Sequence, residues 1–211
     1  LAIPNRYSIL ICMRKALLWL VALAVVICSG LSQAVEPVET DHFTYFLSVP
    51  KLRSAVDSAL NAVRLQLGTM LHDTLSYRPD VHVVDNQAEF DSLVGGKFPD
   101  WGAAAAVPQR RLMVIKSPMH FNVNRSLQEL LAHEYSHLAL ADRTGFYSAP
   151  RWFDEGLAMN VSKEWSWSDN LAMSKAAVFR QLLPLDTIEF VNRFSESPAH
   201  VAYATSYLAV E

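Results

Sequence analysis

The chain is nearly without cysteine. Its two, Cys12 and Cys28, both fall in the first 28 residues. Everything after them lacks a thiol nucleophile and cannot form a disulfide, which excludes a cysteine peptidase and a disulfide-stapled domain. Positive charge is also scarce: 18 Lys and Arg stand against 21 Asp and Glu. Three of the basic residues (Arg6, Arg14, Lys15) and none of the acids precede residue 35, so the remainder is more acidic still. No basic run and no stripe of Lys or Arg interleaved with aromatics is present, so a nucleic-acid partner is unsupported. Internal repeats and low-complexity segments are lacking too, and residues 35–211 suit one domain with a sizeable core.

The first stretch reads as an export leader. Met13-Arg14-Lys15 is a short basic start, Ala16–Cys28 is apolar, and Ser32-Gln33-Ala34 is a small-residue cleavage site. Met13 is expected to be the true start, Leu1–Cys12 an overrun, and cleavage to follow Ala34, giving an exported protein of the bacterial periplasm or envelope. The rival reading is an uncleaved N-terminal membrane anchor, because no charge occurs from Ala16 to Val35. Ser29-Gly30 breaks that run and favours cleavage. Bulky Ile27 before Cys28 argues against a lipoprotein.

The chemistry centres on Leu130–His137, LLAHEYSH. On a helix, residues four apart share a face, so His133 and His137 can aim both imidazoles at one point, as a zinc ion requires. Glu134 lies about 100° round the helix and can reach a metal-activated water as a general base. Ser126 followed by Glu129 is a capping box that starts the helix. Leu127, Leu130, Leu131, Tyr135 and Leu138 supply its apolar stripe, and Gly145 is its expected stop.

A second constellation follows at Pro150–Ala158, PRWFDEGLA. Pro150 suits the first turn of a new helix running to about Lys163, with Ser148 a candidate cap. Glu155 stands 18 positions beyond His137, enough for one helix to end and a second to return past the same point. Two His and one Glu with a fourth position open is a catalytic zinc set. A purely structural chain with a chance HExxH would need two coincidences at this spacing.

HEYSH followed by WFDEGLA resembles the gluzincin metallopeptidases, and more narrowly the small bacterial peptidase MA-like domains related to the aminopeptidase clan. The resemblance runs from about Phe43 to the end. It takes in Phe98–Gly102, Arg111–Ile115, Leu182–Leu185 and Ala202–Tyr207, which are softer than the two metal segments. It implies a zincin-like α+β fold: an N-terminal mixed sheet with a long helix, the HExxH helix, then a mainly helical C-terminal part. The last expected helix reaches Glu211 with no Gly, Pro or Lys-rich turn to cap it, so the domain is expected to be incomplete there. The resemblance implies a zinc-dependent peptidase acting on a peptide or protein, with one zinc per chain on His133, His137 and Glu155. It also implies a Tyr that stabilises the oxyanion, best matched by Tyr203, with Tyr207 one turn on. A sheet edge near the metal, Arg111–Ile115 or Ala103–Val107, would hold extended substrate. A zinc-holding interaction module with little turnover is the alternative, and Glu134 argues against it.

The other elements read as a strand at Phe43–Val49, a helix at Lys51–Tyr77 burying Leu52, Val56, Leu60, Val63, Leu67 and Leu71, and a strand at Val81–Val84. A short helix at Gln87–Val94 is closed by Gly95-Gly96. Strands at Ala103–Val107 and Arg111–Ile115 flank a turn at Pro108-Gln109. Helices are expected at Asp169–Leu183 and Asp186–Phe194, the latter ended by Ser195–Pro198. His42, His72, His82, His120 and His200 read as surface or core residues, with His120 and His200 the two nearest to the site segments. Trp165 and Trp167 read as packing or rim residues. Asp154, Asp142 and Asp169 are candidates to orient the ligand imidazoles, with Asp154 expected to point elsewhere because it adjoins Glu155.

Overall fold

A computed structural model describes residues 35–72, 75–99, 102–165, 174, 184–185, 187–188 and 196–210. The chain divides into two units, 1–36 and 37–211, and the second carries every element below. The expected leader and the helices expected at Asp169–Leu183 and Asp186–Phe194 lie outside the described residues, except that Leu185, Thr187 and Ile188 form short 3-10 turns. No helix among the described residues is long and apolar enough to cross a membrane.

The domain is α+β. Strands β1 (Val38–Glu39), β2 (Thr44–Leu47), β3 (Asp80–Val84), β4 (Ala104–Val107) and β5 (Leu112–Lys116) form one mixed sheet in the order β1-β2-β3-β5-β4. The three inner strands are parallel, and each edge strand is antiparallel to its neighbour. The register aligns Tyr45 with Val81 and Val81 with Met113, and Leu47 with Val83 and Val83 with Ile115. Because successive side chains alternate faces, these six residues share one face. There they pack with helices α1 (Arg53–Met70) and α3 (Leu127–Arg143). The opposite face presents Val84, Leu112 and Val114 to Phe90 of α2 (Gln87–Val94).

Local chemistry sets the ends of these elements. Asn86 caps α2 by accepting the Glu89 N–H at 2.9 Å, and Gly95 closes it in the left-handed conformation at φ 87°. Helix α1 buries Val56, Leu60, Val63 and Leu67 at the expected spacing but ends at Met70 rather than Tyr77. The poor helix formers Gly68 and Thr69 weaken its last turn, and His72 follows at φ 57°, which turns the chain away. Both halves of the capping box on α3 are formed: the Ser126 hydroxyl accepts from the Glu129 N–H, and Glu129 accepts from the Ser126 N–H at 2.7 Å.

Helices α4 (Arg151–Ser162) and α5 (Glu196–Val210) complete the described fold. Pro150, not Ser148, is the residue at the α4 N-cap. Its carbonyl accepts the Phe153 and Asp154 N–H groups at 2.9 and 3.1 Å, so no hydroxyl cap is needed. Helix α5 starts at Glu196, inside the expected break at Ser195–Pro198, and Pro198 sits in its first turn, where a missing N–H costs nothing. The α4–α5 crossing is close. A Cβ on Gly156 would fall on the Ser206 carbonyl, and Asn160 donates to the Tyr207 carbonyl at 3.1 Å.

Candidate metal centre

His133 and His137 lie one turn apart on α3, with ring centroids 4.9 Å apart. Glu155 comes from the first half of α4, which packs along α3. Its Oε2 stands 3.5 Å from His133 Nε2 and 3.8 Å from His137 Nε2. Four ligands held tetrahedrally at roughly 2.0–2.1 Å would lie about 3.4 Å apart, so these separations fit a single cation. One donor atom from each of the three residues falls within 4.8 Å of the others, and among the described residues this is the only such group of three or more His, Cys, Asp or Glu that could hold a metal ion. The side chains of His133, His137 and Glu155 are 11%, 14% and 7% exposed.

The far side of each imidazole is tied to a carboxylate. His133 Nδ1–H donates to Glu164 Oε1 at 2.8 Å, and His137 Nδ1–H donates to Asp154 Oδ1 at 2.6 Å. An ionised carboxylate can only accept, so the proton sits on each Nδ1 and the Nε2 lone pair is left for a cation. The expectation for Asp154 is therefore corrected: it does orient a ligand histidine. It can do so beside Glu155 because the two residues meet different nitrogens of the same ring. Asp142 instead accepts from the backbone N–H and hydroxyl of Ser76, at 2.7 and 2.8 Å. Asp169 lies outside the described residues. Glu164 and Arg151 are additions that sequence reasoning missed. Glu164 is 31 positions from His133, and no periodic pattern announces it.

The carboxylates are held in turn. Arg151 donates to Glu155 Oε1 at 2.9 Å, one turn back along α4, which leaves Oε2 facing the imidazoles. Arg125, the residue before the α3 cap, pairs with Glu164 Oε2 at 2.5 Å. Burial would push the Glu155 carboxyl up, but both histidines and Arg151 outweigh it and hold it down at about 2. Burial likewise lowers His133, and the carboxylates of Glu164 and Glu155 more than reverse this, holding it well above the usual histidine value. His137 is also raised, by Asp154 and Glu155 against the pull of burial. Glu134 is buried beside them, and burial pushes its carboxyl up against the opposing charge of the two histidines.

Tyr203, on α5, stands near enough to Glu155 and Arg151 to feel the charge of both. Burial leads in raising its phenol to about 12, so it remains a donor at neutral pH. Tyr207 stacks on Trp165, ring centroids 4.6 Å apart, which gives Trp165 the expected packing role. Trp167 lies outside the described residues. His120 is exposed in a turn, and His82 stacks on Phe46 at 4.3 Å. His42, His72, His82 and His120 stand outside the metal group, and nothing is described of the His200 side chain. The sheet edge beside α3 is β4, while β5 is an interior strand buried along its whole length.

Compared with protein-family models, with curated proteins and with solved structures, the chain matches none.

Proposed function

We propose that this domain is a zinc-dependent peptidase of zincin-like, gluzincin type, with one zinc per chain on His133, His137 and Glu155. The observation that carries the reading is the convergence of two imidazole Nε2 atoms and one carboxylate oxygen from neighbouring helices, with the buried Glu134 carboxylate beside them. A zinc ion held by His133, His137 and Glu155 would supply a Lewis acid and lower the pKa of a bound water towards ~7. Glu134 takes the proton of the attacking water and passes it to the leaving amine. Its upward-shifted carboxyl suits that task, since a base works best with a pKa nearer the operating pH. Arg151 keeps Glu155 oriented, and Tyr203 donates a hydrogen bond from its phenol to the developing oxyanion. The half-buried edge strand Ala104–Val107 offers backbone groups to an extended peptide. The Met13–Ala34 leader supports export to a bacterial envelope.

The test is metal analysis of the purified protein with casein and peptide-library hydrolysis, with and without a chelator. One metal per chain and chelator-sensitive cleavage are expected. Glu134→Gln should keep the metal and lose hydrolysis by about 10²-fold or more. A protein whose function survives Glu134→Gln unchanged is a zinc-holding interaction module instead.

A further inference from the structure

Of the two carboxylates behind the imidazoles, Glu164 is built in more deeply. Asp154 is 36% exposed, whereas Glu164 is 3% exposed, hydrogen-bonded through Oε1 to His133 and ion-paired through Oε2 with Arg125, which makes no hydrogen bond there. Its backbone position is also set against local preference. Helix α4 ends at Lys163 in the left-handed conformation, φ 59°, and this reversal turns the next residue back towards α3. A non-glycine residue is strained there, and that strain is borne just where the chain must deliver Glu164. Arg125 precedes Ser126, whose capping box fixes the start of α3. The relay therefore joins both ends of one helix segment, Arg125 and His133, through a carboxylate from another element.

We propose that Glu164 is the dominant positioning residue of the metal centre and that Arg125 acts on the metal only through it, the relay Arg125–Glu164–His133 fixing which nitrogen of the first imidazole faces the ion. The proposal rests on the metal-centre reading but not on peptidase activity. Glu164 holds the Nδ1 proton in place and prevents the ring from flipping, while Arg125 keeps the carboxylate from turning away. Asp154, only half-buried and without a described cation behind it, gives His137 a weaker hold.

Zinc affinity measured by competition with a chromogenic chelator tests this in the full chain, with cobalt substitution reporting ligand geometry through its visible absorption. Glu164→Gln is expected to weaken zinc binding by about 10–100-fold and to alter the cobalt spectrum, while Asp154→Asn has a smaller effect. Arg125→Ala should weaken binding less than Glu164→Gln, Arg125→Lys should restore most of it, and Arg125→Ala should add nothing in the Glu164→Gln background. Thermal melts of the metal-stripped variants check that each is folded. Unchanged affinity and spectrum in Glu164→Gln, or an Arg125→Ala effect that persists undiminished in Glu164→Gln, overturns the relay. A wild-type protein that binds zinc tightly but cleaves nothing removes the peptidase reading and leaves the relay standing. A wild-type protein that binds no metal removes both.

Discussion

The crossing of α4 and α5 at Gly156 offers the sharpest structural perturbation. Gly156→Ala adds one methyl, and that methyl would land on the Ser206 carbonyl oxygen and on Val210 Cγ2. The valine can turn, but a backbone oxygen inside a helix cannot, so α5 has to move. Overpacking of this kind costs about 1–3 kcal/mol. Replacing a mid-helix glycine by alanine returns about 1 kcal/mol of helix propensity. The balance is a loss on the order of 1 kcal/mol, or about 2–4 °C in melting temperature for a domain of this size. Urea and thermal melts of the two proteins measure it directly. The three candidate ligands come from α3 and α4, so metal content should be unchanged, whereas Tyr203 rides on the displaced helix and turnover should fall. A Gly156→Ala protein that melts at or above the wild-type temperature would refute the described close approach of α5 to α4.

Ser126→Ala removes the hydroxyl that accepts the Glu129 N–H and should cost about 1 kcal/mol in a urea melt. Tyr203→Phe keeps the ring packed against the cluster of Ile188 and Ala202 but loses the phenol donor. It should lower kcat by about 10²–10³-fold, with KM and metal content little changed. After metal removal, Glu155 contributes stability above pH 4.5 that is lost as pH falls towards about 2. His133 and His137 contribute below pH 6.5 and lose that contribution as pH rises through their raised values. Glu134, itself raised, also favours the acid side. The stripped protein should therefore melt highest between pH 4.5 and 6.5. The zinc-loaded protein should gain progressively over it as pH rises through the raised values of His133 and His137, above which protons no longer compete for the imidazoles, as scanning fluorimetry over a rising pH series would report.

Much of this was legible in the chain because it was local. The spacing of His133 and His137, the Ser126–Glu129 box and the Gln87–Val94 helix closed at Gly95 each depend on a few consecutive residues, and each appears where expected. What escaped was set by tertiary geometry. Glu164 reaches His133 because Lys163 reverses the chain, and no sequence period encodes that. Asp154 was expected to face away since neighbours on a helix diverge by about 100°. The two nitrogens of the His137 ring, however, face different ways, so the diverging carboxylates of Asp154 and Glu155 each meet one of them. Which of the strands Ala104–Val107 and Leu112–Lys116 is the edge could not be read either, as both are short and apolar. Pairing alone separates them.

The claim on which the rest depends is that one cation sits among His133, His137 and Glu155. X-ray absorption at the zinc edge, on protein reconstituted with one equivalent, tests it most directly. Two imidazole nitrogens and carboxylate or water oxygens at roughly 2.0–2.2 Å, with one imidazole lost in His137→Ala, are the expected result. A spectrum without imidazole scattering, or one that His137→Ala leaves unchanged, would contradict it.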